Sequence, residues 1–269
     1  MVPSGTGCGI SRSPKLIVAA TGKQGGALVK KELMAVILVG GIGTRLRPLT
    51  NRVPKPLIKI RGEPFLSRLL EKIAATGLKK CLLLTGYKHG MVKIYCKNGQ
   101  KWGLRISYSK EHMPLGTGGA LLNAKGKIKT TALVMNGDTY SDFDTEKFLK
   151  FHRKRRALAT IFAMKGSLKA KGAIKTDRSG RVVHFSEKQK SGIGIFNSGA
   201  YLVEPQAIGI LQRKLWAKGK RKFSLEEEGF PVLMAAKRLY AYKGEGRFLD
   251  IGTFESLSKA GKFGFKKRC

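Results

Sequence analysis

Hydrophobic and polar positions along the chain alternate between short apolar runs and longer stretches with helical spacing, beginning at Met34. The run AVILV at 35–39 is short, apolar and partly β-branched, which is typical of a strand covered on both faces of a parallel sheet. Similar runs predict strands at 81–85, 105–108 and 132–136. Strands that alternate with helices predict an α/β protein with a mostly parallel central sheet flanked by helices.

Helix start and stop signals divide the stretches between these strands. Apolar side chains recur at helical spacing between Pro64 and Gly77, with the proline at the start and the glycine at the end. Asp144 is a suitable N-cap for a helix predicted over 145–156, and we expect His152 on that helix to be solvated rather than a ligand. Later helices are predicted at 204–215, 225–235 and 253–262.

The first part of the chain differs from the rest in composition. Residues 1–33 are rich in glycine, serine and alanine, and Glu32 is their only acidic residue. We predict a poorly ordered N-terminal extension over 1–33, followed by one domain over 34–269. A transit peptide is the alternative, since acids are scarce, although Arg12 is the only arginine there.

Composition limits the class of protein. The 269 residues, 42% of them hydrophobic, suffice for one large α/β domain with a real core. We expect no membrane insertion, because the chain has no apolar run of about 18 residues. The cysteines at 8, 81, 96 and 269 lack the paired spacing of a zinc site or redox dithiol, which favours the reducing cytoplasm.

The chain is strongly basic, with 53 lysines and arginines, 17 acidic residues and a net charge of +36. Such a field speeds the capture of anionic substrates, although one active site does not require so much charge. The sequence contains no recognisable nucleic-acid module and no regular interleaving of lysines with aromatic residues. We therefore expect salt-sensitive sticking to RNA rather than a specific nucleic-acid partner.

A glycine-rich turn with basic residues follows the first predicted strand. The segment AVILVGGIGTRLRPLTNRVPKP at 35–56 contains three glycines and several basic side chains, among them Gly40, Gly41, Gly43, Arg45, Arg47 and Lys55. Glycines let backbone N–H groups approach an anion. The segment is neither a Walker A loop, which needs Gly-Lys-Ser/Thr, nor a dinucleotide fingerprint, because Leu46 occupies the position of the third glycine. The pattern predicts a phosphate-binding site.

This segment and four later ones resemble, in order, the motifs of the sugar-1-phosphate nucleotidyltransferases. The later segments are PLGTGGAL at 114–121, NGDTY at 136–140, FSEK at 185–188 with FNSGAYL at 196–202, and FLDIGT at 248–253. The resemblance runs from about Met34 to about Gly261 and is greatest to heptose 1-phosphate and mannose-1-phosphate guanylyltransferases. It implies a Rossmann-like nucleotidyltransferase fold and a role in nucleotide-sugar biosynthesis for cell-surface polysaccharides.

The resemblance also implies a catalytic group at the carboxyl ends of the strands, where ligands bind in such sheets. Arg45 and Lys55 would contact the triphosphate, while Asp138 and Asp250 would bind Mg²⁺ and reduce the charge of the α-phosphate. The alternative for each aspartate is capping of a turn beside a glycine. No side-chain nucleophile is needed, because the oxygen of the sugar phosphate is already ionised.

Binding residues for the two substrates follow from the same resemblance. Those for the nucleotide are Gly40, Gly41, Gly43, Thr44, Gly116, Gly118 and Gly119, and those for the sugar phosphate are Gly172, Glu187, Lys188 and Asn197. Glu187 would accept sugar hydroxyls, and Lys188 would hold the phosphate. Lys171 replaces the tyrosine that usually precedes the glycine matched by Gly172. The segment 114–119 resembles the family's nucleobase loop, called the base loop below. The thymidylyl enzymes usually carry a glutamine there, and its absence favours guanine or another base.

We therefore expect an Mg²⁺-dependent transfer of a nucleoside monophosphate from an NTP, with GTP first, to a heptose or mannose 1-phosphate, with release of pyrophosphate. One alternative is a uridylyl or thymidylyl transferase acting on a glucose or amino-sugar 1-phosphate. Another is a noncatalytic regulatory homologue that binds nucleotide sugars. The oligomeric state is left open, a homo-oligomer included.

Overall fold

The computed structural model describes residues 33–169, 171–187 and 191–265. The strands in these ranges are β1 Leu33–Leu38, β2 Lys59–Ile60, β3 Glu63–Pro64, β4 Lys80–Thr85, β5 Arg105–Lys110, β6 Thr131–Asn136, β7 Thr139–Ser141, β8 Ala159–Ser167, β9 Ala173–Thr176, β10 Val182–Ser186, β11 Ile193–Val203, β12 Leu239–Lys243 and β13 Phe248–Asp250. The helices are α1 Leu49–Arg52, α2 Phe65–Ala75, α3 His89–Cys96, α4 Gly116–Asn123, α5 Thr145–Lys154, α6 Pro205–Lys214, α7 Phe230–Ala235 and α8 Phe254–Ala260.

One large sheet organises the described residues. Its strands lie in the order β5-β4-β1-β6-β11-β8-β12, and β9 with β10 extends from β11. β5, β4, β1 and β6 are parallel, whereas β11 is antiparallel to both β6 and β8. The predicted α/β class with a mostly parallel sheet is confirmed, and β11 is an antiparallel strand inside it.

The sheet is buried on both faces. In β1, Ala35 and Ile37 belong to one hydrophobic cluster, whereas Val36 belongs to another. Successive side chains of a strand point to opposite faces, so the continuous apolar run predicted for this strand serves two cores. Helices α2 and α5 cover the first core, and α4, α6 and α7 cover the second.

The predicted helix after Asp144 is confirmed, and its cap is visible. The carboxylate of Asp144 accepts hydrogen bonds from the backbone N–H groups of Glu146 and Lys147 at 3.0 and 3.1 Å. This satisfies donors that have no partner within the first turn of a helix.

The expectation that His152 is solvated is wrong. Its side chain is buried, with Nδ1 2.7 Å from Thr160 Oγ1 and Nε2 2.9 Å from Glu204 Oε1. His152 lies four residues after Phe148, which puts both on the same face of α5, toward the sheet. Burial raises the pKa of Glu204, but the hydrogen bonds from His152 and Thr131 outweigh it and leave that pKa below its ordinary value.

Other boundaries agree with the predictions to within a few residues, with one difference. Residues 225–235 form a π-helical turn over Leu225–Gly229 that continues into α7. Pro231 lies at the start of α7 and has no N–H to donate to a preceding carbonyl. The predicted extension 1–33 lies outside the described residues except for Leu33, which opens β1. Within the described ranges, the helices are too short or too polar to cross a membrane.

Candidate active site

The parallel strands bring four loops to one edge of the sheet. Backbone hydrogen bonds of 2.8 to 2.9 Å continue past the strand ends, from Val39 to Leu84 and from Gly137 to Leu38. Glu111, directly after β5, likewise donates its N–H to Thr85 at 2.8 Å. A cavity of about 500 Å³ opens at this edge, and its lining includes Gly40, Gly41, Gly43, Thr44, Arg45, Lys55, Glu111, Gly116, Thr117, Asn136, Asp138, Lys222 and Gly252.

The glycine loop after β1 packs closely on one side and is open on the other. Gly43 has φ of 72°, and a Cβ there would lie 3.0 Å from Thr50 and 3.2 Å from Lys55. Thr50 Oγ1 donates to the carbonyl of Gly43 at 3.0 Å and holds the turn. A Cβ on Gly41 would meet nothing within 4 Å. Gly43 is therefore required by the backbone and its neighbours, while Gly41 leaves open space beside the cavity.

Lys55 and Asp138 form an ion pair in the cavity wall. Lys55 Nζ lies 2.6 Å from Asp138 Oδ2, although 83 residues separate them. Only 8% of Lys55 is exposed, so its ammonium depends on this partner for compensation of its lost hydration. The structure thus brings together two of the predicted catalytic residues.

Asp250 reaches the same place from the far end of the chain. In the antiparallel pair of β13 and β7, Asp250 lies opposite Thr139, and Ile251 N–H donates to Asp138 O at 3.0 Å. Burial raises the pKa of Asp250, and the nearby charge of Asp138 raises it further, whereas Lys55 and Arg45 act in the opposite direction. The two carboxylates are therefore neighbours, as the resemblance implied.

Arg45 completes this group of charges. A Cβ on Gly252 would lie 3.4 Å from Arg45 Nη2 and 2.8 Å from Asp250 Oδ1, so the guanidinium lies beside the backbone of Gly252. Gly252 N–H also donates to Asp250 Oδ1 at 2.5 Å. Arg45, Lys55, Asp138 and Asp250 are thus assembled at one rim of the cavity.

The donor set fits a magnesium ion that is shared with a substrate. Among the described residues, no group of three or more His, Cys, Asp or Glu side chains could enclose a metal ion by itself. Mg²⁺ is commonly bound through one or two carboxylates together with substrate phosphates and water. Asp138 and Asp250 are such a pair, since the charge of Asp138 contributes to the raised pKa of Asp250.

The predicted base-loop glycines have two different surroundings. Gly116 lines the cavity, and its φ is 73°. The N–H groups of Gly118 and Gly119 donate to the carbonyl of Phe223 at 3.1 and 3.3 Å, and a Cβ on Gly118 would overlap the Phe223 ring. Close packing against Phe223 and Arg221 therefore explains why these two positions are glycines. Their predicted contact with the nucleotide stays a prediction.

Glu111 is a cavity residue that the sequence interpretation missed. A Cβ on Gly40 would lie 2.6 Å from its Oε1, so the carboxylate lies over the ends of β1 and β4. Burial raises the pKa of Glu111, and the hydrogen bond from Leu115 N–H, 3.3 Å from Oε2, acts against this rise. Its position three residues before Pro114, in a chain poor in acids, was the available signal. Thr117, Asn136 and Lys222 were missed as well.

Hydrogen bonds connect the predicted base loop to the predicted sugar residue Asn197. Glu226 accepts from Thr117 Oγ1 at 2.6 Å and from the hydroxyl of Tyr201 at 2.9 Å. Asn197 Nδ2 donates to the same Tyr201 oxygen at 2.9 Å. Burial raises the pKa of Tyr201 well above its ordinary value, so the hydroxyl stays a donor to Glu226.

The predicted sugar residues come together only in part. Asn197 N–H donates to the carbonyl of Gly172 at 2.9 Å, and Asn197 Oδ1 accepts from Gly199 N–H at 3.0 Å. A Cβ on Gly199 would in turn meet Asn136, which lines the cavity. Glu187 directly follows β10, and Lys188 lies outside the described residues.

Comparison with known families agrees with this geometry. Residues 34–266 match the sequence model described as Nucleotidyl transferase. The chain therefore belongs to the nucleotidyl transferase family, which confirms the resemblance found in its motifs.

Named relatives and a solved structure narrow the comparison. The chain is 40% identical over 228 residues to a mannose-1-phosphate guanylyltransferase of Mycobacterium tuberculosis, covering 83% of this chain and 62% of the relative. It is 33% identical to a D-glycero-alpha-D-manno-heptose 1-phosphate guanylyltransferase of Campylobacter jejuni, covering 83% of this chain and 96% of the relative. The crystal structure of HddC from Yersinia pseudotuberculosis superposes with a TM-score of 0.73 at 30% identity, covering 86% of this chain and 98% of that one. HddC has also been solved in complex with GMP-PN.

Proposed function

We propose that the chain transfers a nucleoside monophosphate from an NTP, with GTP preferred, to a mannose or heptose 1-phosphate. The observation that carries this proposal is the assembly of Lys55, Asp138, Asp250 and Arg45 beside an open glycine loop. The chain spans about 62% of the mycobacterial relative but 96% of the heptose 1-phosphate enzyme, and both names are those of guanylyltransferases.

The proposed reaction is a direct displacement at phosphorus. The triphosphate lies along the glycine loop, where Arg45 and Lys55 oppose the charge that develops on the departing phosphates. An ionised oxygen of the sugar phosphate attacks the α-phosphorus, and the bond from that phosphorus to the bridging oxygen of the β-phosphate breaks. Pyrophosphate leaves with the bonding electron pair. Positioning and charge compensation supply most of the rate in such transfers.

Asp138 and Asp250 are the residues that would hold Mg²⁺ in this proposal. Bound there, the ion would withdraw charge from the α-phosphate that the second anion must approach. Lys55 orients Asp138 through the 2.6 Å contact, and Gly252 N–H orients Asp250. Both carboxylates are thus positioned by groups of the chain itself.

A preference for guanine is supported by Glu111. Guanine presents two adjacent donors, N1–H and the exocyclic amine, whereas uracil and thymine present one ring N–H between two carbonyl oxygens. A carboxylate oxygen accepts hydrogen bonds, so Glu111, which lines the cavity, would pair with the donors of the guanine edge rather than with carbonyl oxygens. The guanosine nucleotide bound to HddC agrees with this choice.

We also place the protein in a reducing compartment. Cys81 and Cys96 are free thiols in the core, and burial raises the pKa of Cys96 to about 12. Unpaired buried cysteines are usual in cytoplasmic proteins.

Pyrophosphate release tests the proposal. The purified protein is mixed with Mg²⁺, each of the common nucleoside triphosphates, and mannose, heptose, glucose or amino-sugar 1-phosphates in turn. We expect the fastest release with GTP and a mannose or heptose phosphate, and none after removal of the metal by EDTA. Faster release with UTP or dTTP would favour the uridylyl or thymidylyl alternative. No release with any pair would favour the noncatalytic homologue.

A further inference from the structure

Lys171 lies between two aromatic rings at the sugar side of the site. Its Nζ is 3.8 Å from the centroid of the Phe196 ring and 4.7 Å from that of Phe248. Phe196 belongs to β11 and Phe248 to β13, so two strands of different sheets fix the ammonium. Burial lowers the pKa of Lys171, which marks a partly desolvated charge rather than a surface lysine.

The direction of this ammonium follows from strand geometry. Phe248 and Asp250 are two residues apart on β13 and therefore lie on the same face of that strand. An ammonium held over Phe248 is consequently on the face that carries Asp250. The charge of Asp250 indeed raises the pKa of Lys171, against the effect of burial. Lys171 is thus close enough to Asp250 for their charges to interact.

Its neighbours along the chain are the predicted sugar residues. Lys171 immediately precedes Gly172, whose carbonyl accepts from Asn197 N–H at 2.9 Å. Lys55 is already bound to Asp138, and Arg45 lies beside Gly252 on the cavity side. Lys171 is therefore a basic residue that lies near both Asp250 and the predicted sugar residues.

Aromatic rings hold an ammonium in a way that suits anion binding. A ring face attracts the charge of the ammonium without occupying all three of its N–H donors. The rings also restrict the flexible lysine stem, so less conformational entropy is lost when an anion binds. In a partly desolvated position, a hydrogen bond from the ammonium to a phosphate is strong.

We propose that Lys171 binds the phosphate group of the sugar 1-phosphate and determines the affinity for that substrate. The inference rests on the proposed function and adds to it a residue that takes the place of a tyrosine in the resembling family. Lys171 acts by binding and orienting the attacking phosphate, while Arg45 and Lys55 act on the triphosphate.

Steady-state kinetics with GTP and mannose 1-phosphate test this division. We expect Lys171→Met to raise the KM for mannose 1-phosphate by about tenfold or more, the effect of one charge-assisted hydrogen bond. The KM for GTP should change by less than about twofold, and Lys171→Arg should restore most of the affinity because it keeps the charge. A Lys171→Met enzyme with an unchanged KM for the sugar phosphate, or with both KM values raised equally, would overturn the inference.

Lys101→Met is the matched control. Lys101 Nζ also lies over two rings, 5.5 Å from those of both Tyr95 and Trp102, but it belongs to another part of the fold. This variant removes a charge that also lies over two rings, at a lysine whose side chain is 61% exposed and lies 4.0 Å from Glu63 Oε2. Its KM values should equal those of the wild type, and a rise for mannose 1-phosphate would show that general charge, not Lys171, is responsible.

Calorimetric titration separates this inference from the proposed function. Mannose 1-phosphate and free mannose are titrated into wild type and Lys171→Met with Mg²⁺ and a non-hydrolysable GTP analogue present. We expect weaker binding of mannose 1-phosphate to the variant and no difference for free mannose. If the wild type releases no pyrophosphate with any pair, the proposed function fails, and the titration still decides for Lys171. Equal binding to both proteins, or none to the wild type, would refute the inference.

Discussion

The nucleotide end and the sugar end of the site are built from different kinds of sequence. The nucleotide end comes largely from one continuous segment, 40–55, which follows a single buried strand. The sugar end is assembled from Gly172, Asn197 and Asp250, which belong to separate strands or to the loops beside them. A local segment carries its own geometry, whereas a dispersed group depends on strand pairing.

The two ends meet at the aspartates and through a buried hydrogen-bond chain. Asp138 follows β6, Asp250 ends β13, and the charge of Asp138 contributes to the raised pKa of Asp250. Glu226 joins Thr117 of the base loop to Tyr201, and Tyr201 joins Asn197. The difference between the two ends therefore predicts which substitutions change the kinetics at one end, which change them at both, and which change only the stability of the fold.

The largest effect is expected where the two ends meet. Asp138→Asn should lower kcat by about 10³-fold or more, because one full negative charge is lost from the proposed metal site. Circular dichroism should show a folded protein, since asparagine can still accept from Lys55 Nζ. Asp144→Asn is the control, because asparagine still caps α5 and the residue lies away from the cavity. Near-normal turnover by Asp138→Asn would remove the basis of the proposed reaction.

A smaller effect is expected at the nucleotide end alone. Glu111→Gln should lower kcat/KM for GTP by about 10- to 100-fold relative to UTP, because the amide presents a donor where guanine also presents one. The KM for mannose 1-phosphate should stay the same. Competition assays with GTP and UTP measure the ratio, with Glu63→Gln as a carboxylate control at β3. An unchanged ratio would mean that another group selects the base.

Glycine substitutions separate folding from binding within the nucleotide end. Gly118→Ala should lower the free energy of unfolding by about 1–3 kcal/mol, because the new methyl overlaps the Phe223 ring. Gly41→Ala has open space and should leave that free energy unchanged while raising the KM for GTP. Urea unfolding and kinetics on both variants measure these effects. Equal stability losses would contradict the packing described for Gly118.

The smallest effect concerns the link between the ends. Tyr201→Phe removes the hydroxyl that donates to Glu226 and should lower the free energy of unfolding by about 1 kcal/mol. A double-mutant cycle with Thr117→Val should give a nonzero coupling energy, because both side chains donate to Glu226. Strictly additive losses would show that the hydrogen-bond chain does not join the two ends energetically.

Much of the nucleotide end was predictable because its signals are local. The strand at 35–39 and the glycine-rich turn after it each depend on a few consecutive residues. The N-cap at Asp144, elsewhere in the fold, is local in the same way. The motif order also led to the neighbouring aspartates, Asp138 and Asp250. Glu111 was not predicted as a site residue, because its position depends on tertiary structure. The pairing of β5 with β4, and of β4 with β1, places its carboxylate beside the ends of β1 and β4.

By itself, the sequence determined the α/β class, the glycine-rich loop after the first strand and the family, since periodicity, glycine positions and ordered motifs need no tertiary contacts. Tertiary structure decided the burial of His152 against Glu204, the antiparallel direction of β11 and the placement of Lys171 between Phe196 and Phe248. Each of these depends on which distant segments pack together. Such packing is set by burial summed over the whole chain rather than by any local pattern.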